Sequence, residues 1–175
     1  MTVSLLRFAA PRGLRVARAE GQYVWDSGGR RYLDFYMGYG AAFLGHRHPR
    51  VVKALEEQLS RYMTITPAFD TDVLDECLDA LGKILPPHLT RVFFLNSGSE
   101  AVEMALKLSR KLTGRRKVLA FNNGFHGRTM AALSATWNPK YREGFDPFPF
   151  EVVFAPFNDA GAVEEKPSEE FAAVI

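Results

Sequence analysis

Lys117-Val118-Leu119-Ala120-Phe121-Asn122-Asn123-Gly124-Phe125-His126-Gly127-Arg128-Thr129 decides how this chain folds. Its first five residues form a short apolar run of strand length, closed by a polar, glycine-containing loop. A helix is expected to start near Gly127-Arg128-Thr129. The same order stands just upstream. Arg91-Val92-Phe93-Phe94-Leu95 reads as a buried strand, Asn96-Ser97-Gly98-Ser99 as a loop, and Glu100 to Leu112 as a helix ended by Gly114. Glu151-Val152-Val153-Phe154 and Ala172-Ala173-Val174-Ile175 are two more strands, with a charged loop or short helix over Glu164–Glu170. Strand–helix–strand alternation predicts an α/β fold with a mostly parallel sheet covered on both faces.

The first part of the chain lacks this rhythm. Tyr23-Val24-Trp25 and Arg31-Tyr32-Leu33-Asp34-Phe35 flank the turn Asp26-Ser27-Gly28-Gly29-Arg30, which reads as a hairpin. A Gly-rich loop, Gly38 to Gly45, follows. After Pro49, Val52, Leu55, Leu59 and Tyr62 recur at helical spacing. Thr66-Pro67 breaks that helix. Asp70 or Thr71 caps a second one, which carries Val73, Leu74, Cys77, Leu78 and Leu81 and stops at Pro86-Pro87. A boundary between a small α+β segment and the alternating region is expected at residues 60–70.

Composition narrows the function. The 175 residues are 47% apolar, 24% charged and 13% aromatic, the balance of a globular protein with a real core. A net charge of +2 and no basic stripe alternating with aromatics argue against nucleic acid as a partner. Cys77 is the only cysteine, which excludes an intramolecular disulfide and a thiolate metal cage. No apolar run approaches the ~18 residues that span a bilayer. Met1 to Arg7 lacks a basic leader with a cleavage site, so a reducing cytosol is the expected compartment. The apolar ending Phe171-Ala172-Ala173-Val174-Ile175 reads as a stop inside a buried strand.

Two loops carry the chemistry. Asn96-Ser97-Gly98-Ser99-Glu100-Ala101 lies where a strand turns into a helix, and ligands of open α/β sheets bind off such carboxyl ends. Helix amino-terminal N–H groups suit a phosphate. Gly98 lets backbone approach closely, and the Ser99 hydroxyl can both cap the helix and donate to a phosphate oxygen. An ordinary serine or asparagine N-cap explains the hexapeptide equally well. In the second loop, Phe125 offers a face for a planar heteroaromatic ring, and Arg128 offers a fork of donors for a carboxylate. Core packing for Phe125, a structural hydrogen bond for His126 and a surface ion pair for Arg128 are the plain alternatives. Together the loops suggest an enzyme for a phosphorylated planar cofactor and an acidic substrate. Arg115-Arg116-Lys117 reads as a solvated strand-end patch or as a dock for an acidic partner.

These residues carry a resemblance. Gly21-Gln22-Tyr23-Val24-Trp25-Asp26 with Gly29 to Phe35, then Gly45-His46-Arg47-His48-Pro49, Asn96 to Ala101 and Phe125-His126-Gly127-Arg128-Thr129 resemble, in order, motifs of the class III (ornithine-type) pyridoxal-phosphate aminotransferases. Lys140-Tyr141-Arg142 follows at the expected distance. The match covers nearly the whole chain. The acetylornithine branch fits best, and within it the archaeal LysW-type members of lysine and arginine biosynthesis, whose substrates are tethered to a small acidic amino-group carrier protein.

The resemblance implies the amino-terminal portion of a fold type I enzyme, with residues 1–62 from the small domain and 63–175 opening the large cofactor-binding domain. It implies pyridoxal 5'-phosphate as cofactor, held by Gly98, Ser99, Phe125 and His126, with Arg128 and Tyr39 toward the substrate. Ala42 departs from the family, where many members carry Asn. The implied reaction moves an amino group between glutamate/2-oxoglutarate and an N-acylated or carrier-linked semialdehyde, in a cytoplasmic homodimer. Another class III activity, 4-aminobutyrate aminotransferase or glutamate-1-semialdehyde aminomutase, and a non-catalytic cofactor-binding fragment are the alternatives. The family's Schiff-base lysine, its pyridinium-binding aspartate and a phosphate-binding threonine of the partner subunit are expected beyond Ile175. The 175 residues in isolation are therefore expected to be inactive.

Overall fold

The computed structural model describes residues 4–7 and 10–175. Met1-Thr2-Val3, part of the stretch read above for a leader, lies outside the described residues. The chain divides into two compact units, residues 1–76 and 77–175.

In the amino-terminal unit, β1 (Val16–Glu20), β2 (Tyr23–Asp26) and β3 (Arg31–Leu33) form an antiparallel sheet in that order. Asp26 builds the expected hairpin turn. Its Oδ1 accepts the N–H groups of Gly28 and Arg30, each at 2.9 Å, and its Oδ2 accepts the Tyr32 hydroxyl at 2.8 Å. The Gly-rich loop returns to the sheet through paired backbone bonds between Gly21 and His46, and His46 Nε2 meets Asp34 Oδ2 at 2.8 Å. Two helices follow, α1 (Pro49–Leu59) and α2 (Asp72–Gly82), the second running into the other unit. Thr71, the second of the two expected caps, accepts the Leu74 N–H at 3.4 Å. Neither helix buries a residue, so the apolar faces read from the sequence stay largely open, with Leu55 and Leu59 each more than half exposed.

The carboxy-terminal unit holds α3 (Gly98–Thr113), β4 (Lys117–Phe121), α4 (Met130–Ala135), α5 (Pro139–Arg142), β5 (Glu151–Ala155), α6 (Ala160–Glu164) and β6 (Phe171–Val174). Its sheet runs β5-β4-β6, and both pairings are parallel, as the alternation predicts. Central β4 supplies the core. Val118 packs with Leu106, Ala131 and Phe150 in one cluster, and its neighbour Leu119 packs with Ala155 and Phe171 in another. This is the two-sided burial that a period of two imposes on a covered strand. α3 ends as expected at Gly114, whose φ of 71° is the left-handed cap that glycine adopts at least cost.

One expected strand is corrected. Arg91–Leu95 forms no strand, and Phe93 is 70% exposed. A strand is made by its ladder, and no strand among the described residues pairs with this segment.

The cationic run also resolves. Arg115 donates to the carbonyls of Ser168 and Phe171, and Lys117 pairs with Glu170 at 2.5 Å and Glu151 at 3.9 Å. Two of its three cations thus serve the fold around β6.

Candidate active site

The loop before α3 and the loop after β4 meet. Ser97, not Ser99, caps α3: its Oγ accepts the Glu100 N–H at 3.2 Å. The Glu100 carboxylate returns to accept the Asn96 N–H at 2.8 Å, so the cap is closed from both sides. This corrects the reading of Ser99 as the capping hydroxyl. With Ser97 at the cap, Ser99 falls inside the first turn, and its Oγ accepts the Arg128 N–H at 3.4 Å. No acceptor among the described residues meets the N–H groups of Gly98 and Ser99. The space beside Gly98 is open, because a β-carbon there would find nothing within 4 Å.

Gly127 lies directly on Ser99, at a φ of 134°. The sequence signalled two glycines in this loop without telling which one makes a contact. Gly124 is tight too, since a β-carbon would stand 2.9 Å from the Phe121 carbonyl oxygen. Buried Thr136 pins the loop from behind, its Oγ1 accepting the His126 N–H and bonding to the Gly127 carbonyl, each at 3.0 Å.

Phe125 is 58% exposed, with its ring plane set by an edge-to-face contact with Tyr141 at 5.7 Å. His126 is half-buried; its Nε2 is buried and has no hydrogen-bond partner, and burial lowers its pKa below the ordinary 6.5. It lines a cavity of about 410 Å³ with Phe121, Asn122, Asn123, Gly124, Phe157 and Ile175. The cavity opens where β4, β5 and β6 end, the edge at which ligands of parallel sheets are held.

The structure therefore gathers Gly98, Ser99 and Arg128 through the Ser99 contact, and sets Phe125 and His126 on the same loop. Tyr39 belongs to the amino-terminal unit, where it is 91% exposed at a φ of 58° and packs edge-on against Tyr36. Glu103 was not singled out in the sequence. It accepts hydrogen bonds from Thr129, Ala131 and Ala132. Its only sequence signal is its place four residues after Ser99, on the same helix face.

Comparison with known proteins agrees with this geometry. The family Aminotransferase class-III matches residues 8–175. The chain is 46% identical to the LysW-aminoadipate semialdehyde/glutamate semialdehyde transaminase of Sulfolobus acidocaldarius, over 99% of this chain and 45% of that protein. It is also 46% identical to the acetylornithine aminotransferase of Methanopyrus kandleri, over 89% of this chain and 40% of that protein. The crystal structure of ornithine aminotransferase from Toxoplasma gondii, with partial occupancy of PLP at its active site, superposes with a TM-score of 0.88 at 31% identity. That superposition covers 97% of this chain and 42% of the other. The chain thus spans less than half the length of the relatives it matches. No helix among the described residues is long and apolar enough to cross a membrane. With the motifs, the parallel sheet and the family match in agreement, the chain belongs to the class III aminotransferases.

Proposed function

We propose that residues 1–175 supply the phosphate-, ring- and carboxylate-binding parts of a pyridoxal-phosphate aminotransferase. The amino group moves between glutamate/2-oxoglutarate and a semialdehyde whose α-amino group is acylated or linked to a small acidic carrier protein. The observation that carries this reading is the seating of Gly127-Arg128 on Ser99, which joins the backbone of the loop that carries Arg128 to the first turn of an anion-binding helix start. The names of the relatives support the substrate class.

The residues fit the cofactor. Unmet N–H groups at Gly98 and Ser99 and the open space beside Gly98 suit a phosphate at a helix amino terminus. The exposed Phe125 ring, fixed in plane by Tyr141, suits a flat heteroaromatic partner. Pyridoxal phosphate, when bound, supplies the electron-withdrawing ring through which an amino group is taken up and returned. The chain's own residues bind and orient. The Ser99 hydroxyl donates to a phosphate oxygen while it accepts from the Arg128 backbone. The Arg128 guanidinium holds the donor's carboxylate bidentately. His126 lines the cavity, and burial lowers its pKa, which favours the uncharged ring there. The attaching lysine and the carboxylate facing the ring nitrogen belong to the part of the family's length not spanned here. The whole enzyme is a homodimer in this reading.

The test uses the full-length protein. Borohydride reduction should fix the cofactor covalently, and glutamate should yield more than one equivalent of 2-oxoglutarate per site only when an N-acylated semialdehyde is supplied. A cofactor that dialyses away after reduction would make the protein a non-catalytic binding module. Turnover of a semialdehyde without any need for glutamate or 2-oxoglutarate would instead assign the aminomutase reaction.

A further inference from the structure

We infer that Glu103 is a positioning residue for Arg128, an inference that rests on the aminotransferase reading above. Ser99 and Glu103 stand one turn apart on α3, so one helix face carries both. Ser99 Oγ accepts the N–H of Arg128 itself. Glu103 Oε2 accepts the next groups along the chain: the Thr129 hydroxyl at 2.8 Å, the Ala131 N–H at 3.1 Å and the Ala132 N–H at 3.0 Å. Arg128 is thereby held at its own amide and just beyond it, from a single rigid element.

The local chemistry is unusual for a helix start. Thr129 is the N-cap of α4, yet its side chain makes no capping bond to its own helix. Its hydroxyl is turned to Glu103, and the Glu103 carboxylate takes over the cap from a distance of 26 residues in sequence. A carboxylate only accepts, and every group facing it here donates, so each bond is charge-assisted. The amino-terminal N–H groups of α4 have no carbonyl of their own helix to meet, which makes this acceptor worth most where it stands. Glu103 thus fixes the backbone on the carboxyl side of Arg128 against α3, the helix that carries Gly98 and Ser99.

The experiment is a comparison of Glu103→Gln, Arg128→Ala and the double variant in the full-length protein, with KM and kcat for glutamate measured separately. Amide exchange over residues 129–133 is followed in the cofactor-free protein. Glutamine keeps the size and one accepting oxygen, but it removes the charge and sets a donor against at least one of the donors that face Glu103. Glu103→Gln should raise KM about tenfold with kcat within about twofold, the pattern of a mispositioned binding contact. Exchange at Ala131 and Ala132 should quicken, and the double variant should be no worse than Arg128→Ala alone. If Arg128→Ala raises KM while Glu103→Gln leaves it unchanged, the inference about Glu103 falls and the carboxylate role of Arg128 survives. If Arg128→Ala leaves KM unchanged, that role falls and takes the inference with it. A loss of melting temperature and kcat together, with KM intact, would reduce Glu103 to a fold-holding residue and overturn the proposal.

Discussion

Gly127 lies so close to Ser99 that a β-carbon on it would stand 2.2 Å from Ser99 Oγ and 2.8 Å from Ser99 Cβ. The loop after β4 and the first turn of α3 are therefore in van der Waals contact through the one residue type that leaves room. The φ of 134° at Gly127 is a second, independent demand for glycine.

Gly127→Ala should accordingly be costly. It forces a side chain into a left-handed conformation and against Ser99 at once. Together these should destabilise the protein by roughly 3 kcal/mol. Denaturant unfolding of the full-length protein gives the midpoint, and cofactor titration gives the affinity; both should fall. A wild-type midpoint would mean that α3 and the loop move apart freely.

Phe125→Ala should separate binding from stability. The residue is more than half exposed, so its removal opens little core. Loss of an aromatic stack of about 1 kcal/mol should weaken cofactor binding roughly fivefold. Tyr141, which packs against it, keeps its own place in α5. Fluorescence titration with pyridoxal phosphate and a melting curve would show the split; an unchanged affinity would return Phe125 to a packing role.

His126 predicts an acid limb of stability. Burial lowers its pKa in the folded state below the ordinary 6.5. Near and below that value the unfolded chain binds more protons than the folded one, so stability falls as pH drops through this range. The melting temperature should decline between about pH 7 and pH 5, and His126→Gln should flatten that decline. A parallel decline in both proteins would assign the effect to other groups.

Asp34 acts in the opposite part of the chain and a lower pH range. Bonds from His46 and from the N–H groups of Tyr36 and Met37 hold its carboxyl below the ordinary 3.8. Its contribution is present above that value and is lost as pH falls through the folded-state pKa. Asp34→Ala should release the loop over residues 36–46, visible as faster proteolysis there at neutral pH. Unchanged cleavage would show that the Gly21–His46 backbone pair holds the loop unaided.

Much of this molecule is written locally. The Asp26 turn, a cap at Asp70 or Thr71 and the Gly114 cap all follow from spacing and residue type. So does the placing of both functional loops between a chain segment and a helix. Each such feature depends on neighbours within a few residues, which a sequence displays directly. Where two residues satisfied one local rule, the sequence pointed to the wrong one: Ser97 and Ser99 both suit a helix start, Ser99 reads as the capping hydroxyl, and only the course of the backbone made Ser97 the cap. Arg91–Leu95 has the composition of a strand, but a strand exists only when another supplies its ladder. The tertiary structure alone decided that Gly127 rests on Ser99 and that Glu103 caps a helix beginning 27 residues later. Those contacts join positions far apart in the chain, and no period or local propensity encodes which distant partner a side chain meets.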